Sequence, residues 1–453
     1  MHTSTISRRF SAGALLALLL ALPWLSGCDD GTLNAPAIEN DLFNSYVAIG
    51  NSITAGFQSG GINAETQAES FAVLLANQMN TPFGVPEMAT PGCPPPLTQI
   101  FPEPQVQGGD PDACAFREEQ PPLRLNNVAV PGAAVADVLT NTPQEGAEPN
   151  PLTQFILGGQ TQVEAARAAD PTFVTAWTGN NDVLGAALAG NPALATSEED
   201  FTTRYGTMLD ELDALPNLQG GVLFGVVDVT AIPNLSAGAA YLAASQQAPA
   251  GTFPPNLNID PATCAPSANG GVGDLMLVPF QYGVALLNVA GALFDQLGGA
   301  APTITLDCAQ DLTVEEAVGQ AFGGVSNIPP NIQAAIADVR TVSLLQTGEI
   351  GTLRTRVQAF NQFIRTQANN RGYAYLNVNA ILQRPDISQQ IPPFPELFDN
   401  PDTPWGPDQP FGPLFSLDGV HPSATTHVVV ANEAIQLINE TYETNLQPVP
   451  SGG

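Results

Sequence analysis

Five short apolar runs punctuate the chain: YVAIG (46–50), LNNVAV (125–130), PTFVTAW (171–177), GVLFGVVDV (221–229) and YAYLNVN (373–379). They are hydrophobic in continuity rather than in alternation. That pattern predicts strands buried on both faces, and hence a mostly parallel sheet covered by helices. Between the runs the apolar spacing becomes helical, in AESFAVLLANQM (68–79), QTQVEAARAAD (160–170) and SEEDFTTRYGTMLDELDAL (197–215). Two more helices follow, at 347–372, which stops on a Gly, and at 423–443, which closes the pattern. The acidic first turn of the 197–215 segment suits the positive end of a helix dipole. Strands alternating with helices predict a three-layer α/β/α sandwich around a mostly parallel five-stranded sheet.

Two stretches exceed this unit. Residues 82–122 are rich in Pro and Gly, and residues 231–345 form a long insertion of helical character. Within the insertion, DLMLVPFQYGVALLNVAGALF (274–294) is almost wholly apolar but is interrupted by Pro279, Gln281 and Asn288. A packed helical subdomain is expected there, and its functional reading is a lid or wall over an apolar site.

The N-terminal segment sets the compartment. Arg8 and Arg9 precede the apolar run SAGALLALLLALPWL, which has the shape of a secretory signal. The run ends in LSGC (25–28), which resembles the lipobox of bacterial lipoproteins. The resemblance implies a signal over 1–27, lipidation of Cys28 and an exported bacterial lipoprotein on a periplasm-facing membrane or the cell surface. Residues 28–41 then read as a tether, 42–445 as the folded domain with its two insertions, and 446–453 as a tail.

Net charge is −31, and the 12 basic residues are all Arg. So acidic a chain repels nucleic acid. The absence of Lys excludes a P-loop lysine, a Schiff base and a Ser–Lys dyad. Four cysteines follow Cys28, and an even number in an exported chain reads as disulfides. Three connectivities are open. The local pairs Cys93–Cys114 and Cys264–Cys308 are favoured, because each staples one insertion.

The chain has three His, and His2 lies in the leader. His421 sits in FSLDGVHPSA, a loop ahead of the last helix, whereas His427 lies inside that helix, where a surface or half-buried role is expected. Their spacing of six is poor for shared ligation, so zinc is not expected. Asp418 stands three residues before His421, and in a tight turn its carboxylate can fold back onto the imidazole Nδ1–H. After the first strand comes Asn51-Ser52, after the second Pro131-Gly132, after the third TGNND with Asn181. Parallel strands bring these ends to one edge, where Ser52 would meet the N–H groups of itself and Gly132 and the amide of Asn181.

The blocks IGNSITAG, NNVAVPGA, TGNND and DGVHPS, in this order, resemble those of the SGNH/GDSL hydrolases, esterases and lipases with a flavodoxin-like sandwich. The resemblance implies Ser52 as nucleophile, Gly132 and Asn181 as partners in the oxyanion hole, and Asp418 and His421 as the rest of a triad. No metal or organic cofactor is implied. Asn51 stands where the family name has Asp, which leaves the pH optimum and the firmness of the loop open. The rival expectation is a catalytically silent surface lipoprotein that binds glycan or lipid in the same cleft.

Overall fold

The computed structural model describes residues 40–101, 103–115, 124–140, 150–249, 251–398 and 403–450. The leader, Cys28 and most of the expected tether lie outside the described residues. Four parallel strands form the central sheet: β1 (Tyr46–Gly50), β2 (Phe173–Trp177), β3 (Gly220–Phe224) and β4 (Ala374–Leu376), side by side in that order. The register sets Tyr46 opposite Phe173 and Gly50 opposite Trp177, so β1 and β2 end level. The helices that matter for the site are α1 (Phe71–Met79), α2 (Gln162–Ala169), α3 (Asn181–Ala189), α4 (Glu198–Asp213), α5 (Phe280–Leu297), α6 (Thr347–Arg371) and α7 (Ala424–Tyr442).

The pleat sorts the strand residues into two cores. Val47, Ile49, Val174, Ala176 and Leu223 pack with α2, α4 and α6. Tyr46, Ala48, Phe173, Trp177 and Phe224 face the other way, onto α1 and α7. Every residue of β1, β2 and β3 is buried. This is why these runs lack alternation: helices cover both faces. Each fully buried large apolar side chain contributes about 1.5–3 kcal/mol relative to exposure.

The expected fifth strand, 125–130, is not a regular strand. It lies beside β1 and pairs with it through one parallel bridge, Ala48 to Asn127. Side chains occupy the adjacent rungs. The Asn126 amide donates to the Tyr46 carbonyl at 2.8 Å, and Gln162 from α2 both accepts from Gly50 N–H and donates to its carbonyl at 2.9 Å. Backbone bonds still join the two stretches, from Ala48 N–H to the Asn126 carbonyl and from Val128 N–H to the Ala48 carbonyl, both at 2.9 Å, but with side-chain amides sharing the edge the pairing is not a regular strand ladder.

The insertion builds its own core around Tyr282, Leu286, Val289 and Val318. Its apolar 274–294 run divides into a short strand, Leu277–Pro279, and then α5. Among the described residues no helix is long and apolar enough to cross a membrane. Cys264 and Cys308 are bridged inside the insertion, and Cys93 is bridged to Cys114. At the C-terminus, Val449 exchanges hydrogen bonds with the Asn432 side chain of α7 through both its N–H and its carbonyl.

Candidate active site

β1 ends on Gly50 because nothing larger fits: a Cβ there would lie 2.3 Å from Thr54 Oγ1 and 2.8 Å from the Trp177 carbonyl. The chain then turns into a four-residue helix that begins at Ser52. Asn51 caps it, its Oδ1 accepting from Ile53 N–H at 3.1 Å. An Asn caps a helix about as well as an Asp, so the turn is held at Asn51 without a carboxylate. Ser52 is 7% exposed and stands in the first turn, where a backbone N–H has no partner within the helix.

From the other end of the chain, the loop before α7 brings His421 over Ser52. Nε2 of His421 accepts from Ser52 Oγ at 2.9 Å, and Nδ1–H donates to Asp418 Oδ2 at 2.7 Å. Phe57 lies against the imidazole, with ring centroids 4.8 Å apart. Asp418 also accepts from the N–H groups of Gly60 (2.7 Å), His421 (2.8 Å) and Val420 (2.9 Å). Burial pushes its carboxyl up, but the adjoining imidazole and these backbone donors outweigh burial and hold it at about 2. Asp418 is therefore an anion whose partner is His421. That arrangement selects the imidazole tautomer that leaves Nε2 free to take a proton.

The remaining candidates gather nearby. Val130 N–H donates to the Gly50 carbonyl at 3.2 Å, and this ties the turn carrying Gly132 to the end of β1. The Gly132 N–H has no partner among the described residues. Asn181 opens α3, donates from Nδ2 to the Ala133 carbonyl at 3.0 Å, and lines the same pocket as Ser52 and His421. Its amide has a second hydrogen to offer. Asp182 anchors this corner from beneath, its Oδ2 accepting from Val135 N–H at 2.9 Å. Burial raises its carboxyl to about 6, against the opposing pull of its hydrogen bonds.

The pocket has a volume of about 860 Å³, counting space open to solvent. Away from the polar end, where Asn51, Asn180 and Asn181 join Ser52 and His421, its walls are mostly aliphatic: Leu184 of α3, Val229 and Ile232 after β3, and Ile381, Leu382 and Ile387 after β4. The sequence had pointed to the insertion as a candidate wall. The insertion reaches the pocket through Ile232, and the opposite wall comes from 378–387 and α7. Those residues were missed. Their signal was the apolar cluster VNAIL directly after the last strand, at the same sheet edge as Ser52.

His427 departs from expectation in a different way. It is fully buried, and its Nδ1 accepts from Phe71 N–H at 3.1 Å at the start of α1. Burial drives its pKa down to about 3, so it is neutral. A helical position next to a polar loop reads as half-exposed, but α7 packs this face onto α1.

A family model described as GDSL-like Lipase/Acylhydrolase matches residues 46–263. The match takes in Ser52, Gly132 and Asn181 and stops before Asp418 and His421. No curated protein matches the chain.

Proposed function

Because the chain belongs to the GDSL-like lipase/acylhydrolase family, and so to the hydrolases, we propose that it cleaves carboxylic esters through an acyl-enzyme on Ser52. The observation that carries this reading is the continuous hydrogen-bonded path from Ser52 Oγ through His421 to Asp418. His421 takes the Ser52 proton as Oγ attacks the acyl carbon, and returns it to the departing alcohol. Water then enters by the same route and frees the acid. Asp418 holds the imidazolium that forms in between. The N–H groups of Ser52 and Gly132 and the Asn181 amide receive the oxyanion.

The aliphatic walls favour an ester with a hydrocarbon chain over a small polar acyl group. Burial of apolar surface supplies binding energy only to a substrate that has such surface. The leader adds a second element to the proposal. Export, removal of 1–27 and lipidation of Cys28 would hold the enzyme on a periplasm-facing membrane or the cell surface, close to lipid esters. Cys28→Ala should then move the protein from the membrane fraction to the soluble one.

A fluorophosphonate probe on purified protein tests the chemistry. Ser52 should be labelled, Ser52→Ala should not, and p-nitrophenyl esters should be turned over. Folded protein with Ser52 unlabelled and no ester turnover would leave a silent binder of glycan or lipid in the same cleft.

A further inference from the structure

The carboxylate of Asp418 accepts from N–H groups of Val420 and His421, but these bonds lie within its own turn. They shape the turn and do not fix its distance from Ser52. Two contacts from outside do that. One is the segment after the nucleophile: Gly60 N–H donates to Asp418, Ser59 N–H donates to Ser416 Oγ at 2.8 Å, and Leu417 N–H donates to Ser59 Oγ at 3.2 Å. The other is Asn234, in the insertion. Its backbone N–H donates to the Gly419 carbonyl and its Nδ2 to the Asp418 carbonyl, both at 2.9 Å.

Asn234 is itself held by the insertion's own fold. Its carbonyl accepts from Phe280 N–H at 2.8 Å, at the start of α5, and the next residues, Leu235–Ala237, pair with Leu277–Pro279. The ring of Phe280 meets that of Phe411 edge-on, with centroids 5.7 Å apart. Phe411 lies directly under Gly419, where a Cβ would come within 2.7 Å of its ring and where φ is +67°. The turn therefore has no slack on that side.

We propose that Asn234 is a positioning residue, through which the 231–345 insertion holds the Asp418–His421 turn at working distance from Ser52. The insertion thus acts as a brace on the acid–base half of the site rather than as a lid. The inference rests on the hydrolase reading above, and the two are separable by experiment. Displacing a reacting group by about 1 Å can cost on the order of 100-fold in rate, so a lost brace reads out in kcat.

Five full-length variants test this, with p-nitrophenyl butyrate as substrate. Asn234→Ala should lower kcat by about 10- to 100-fold with KM little changed. Asn234→Asp, equal in shape but without the N–H, should do no better. In a His421→Ala background, Asn234→Ala should cost nothing further, because the turn it holds no longer presents a base to Ser52 and groups that act through one another are not additive. Asn256→Ala serves as the control for generic damage to the insertion, since Asn256 donates to the Pro302 carbonyl within it. This variant should lose thermal stability and keep its kcat. Active wild type with an unchanged kcat in Asn234→Ala overturns the inference alone, as does a full additional loss in the His421→Ala background. A silent wild type overturns the hydrolase reading and the inference with it.

Discussion

Nε2 of His421 lies 2.9 Å from Oγ of Ser52 across a separation of 369 residues. Ser52 hangs from the end of β1, and His421 from a loop clamped between the 58–61 turn and the insertion. Their distance is set by the stretch from β1 to the 58–61 turn, the loop before α7 and the insertion, which lie far apart in the sequence. Proton transfer needs this separation, so the clearest consequences concern rate.

Ser52→Ala and His421→Ala should each lower kcat by about 10⁴- to 10⁶-fold, and the double variant should lose little more. Single-turnover and steady-state assays on p-nitrophenyl butyrate measure this. Substantial activity in His421→Ala, with His427 intact, would mean that a different base operates.

Removing the Asn181 amide should act on the oxyanion, both directly and through the Ala133 carbonyl that the same amide holds. Asn181→Ala is expected to lower kcat by about 10²- to 10³-fold while KM stays near its wild-type value. A change mainly in KM would place Asn181 in ground-state binding instead.

The aliphatic pocket predicts a dependence on chain length. Across p-nitrophenyl esters from acetate upward, kcat/KM should rise by up to about fourfold per methylene until the pocket is full, since each buried CH₂ contributes about 0.8 kcal/mol. Ile381→Trp should cut turnover of long esters far more than that of acetate. A flat series would remove the hydrocarbon chain from the proposal.

His427 makes a prediction about acid stability. Its folded pKa of about 3 lies below the 6.5 of an exposed imidazole, so between those values the unfolded chain binds the extra proton. The stabilising effect of the neutral ring is complete above pH 6.5 and is lost as the pH falls towards 3, at about 1.4 kcal/mol per unit. Asp182, raised from 3.8 to about 6, works in the opposite direction: its protonated form favours the fold, an effect lost as the pH rises through 6. Urea denaturation between pH 7 and 4 should show His427→Gln losing less stability on acidification than wild type. Parallel curves would mean that the ring is not kept neutral.

The order of strands and helices, the break of the first strand at Gly50 and the candidates Ser52, Gly132, Asn181, Asp418 and His421 were all legible along the chain. Each is announced by neighbours a few residues away. Hydrophobic continuity follows from burial on both faces, turns need Gly and Asn, and Asp418 to His421 is a spacing that one turn closes. What stayed hidden depends on contacts between distant residues. Gln162 and Asn126 share the edge of β1 with the 125–130 stretch, α1 buries His427, 378–387 lines the pocket, and Asn234 grips the Asp418 turn. No local pattern encodes these, because a side chain's partner across the fold is set by how whole layers dock. The chemistry available was written into residue types and their order, whereas the distances at which those groups meet came from packing.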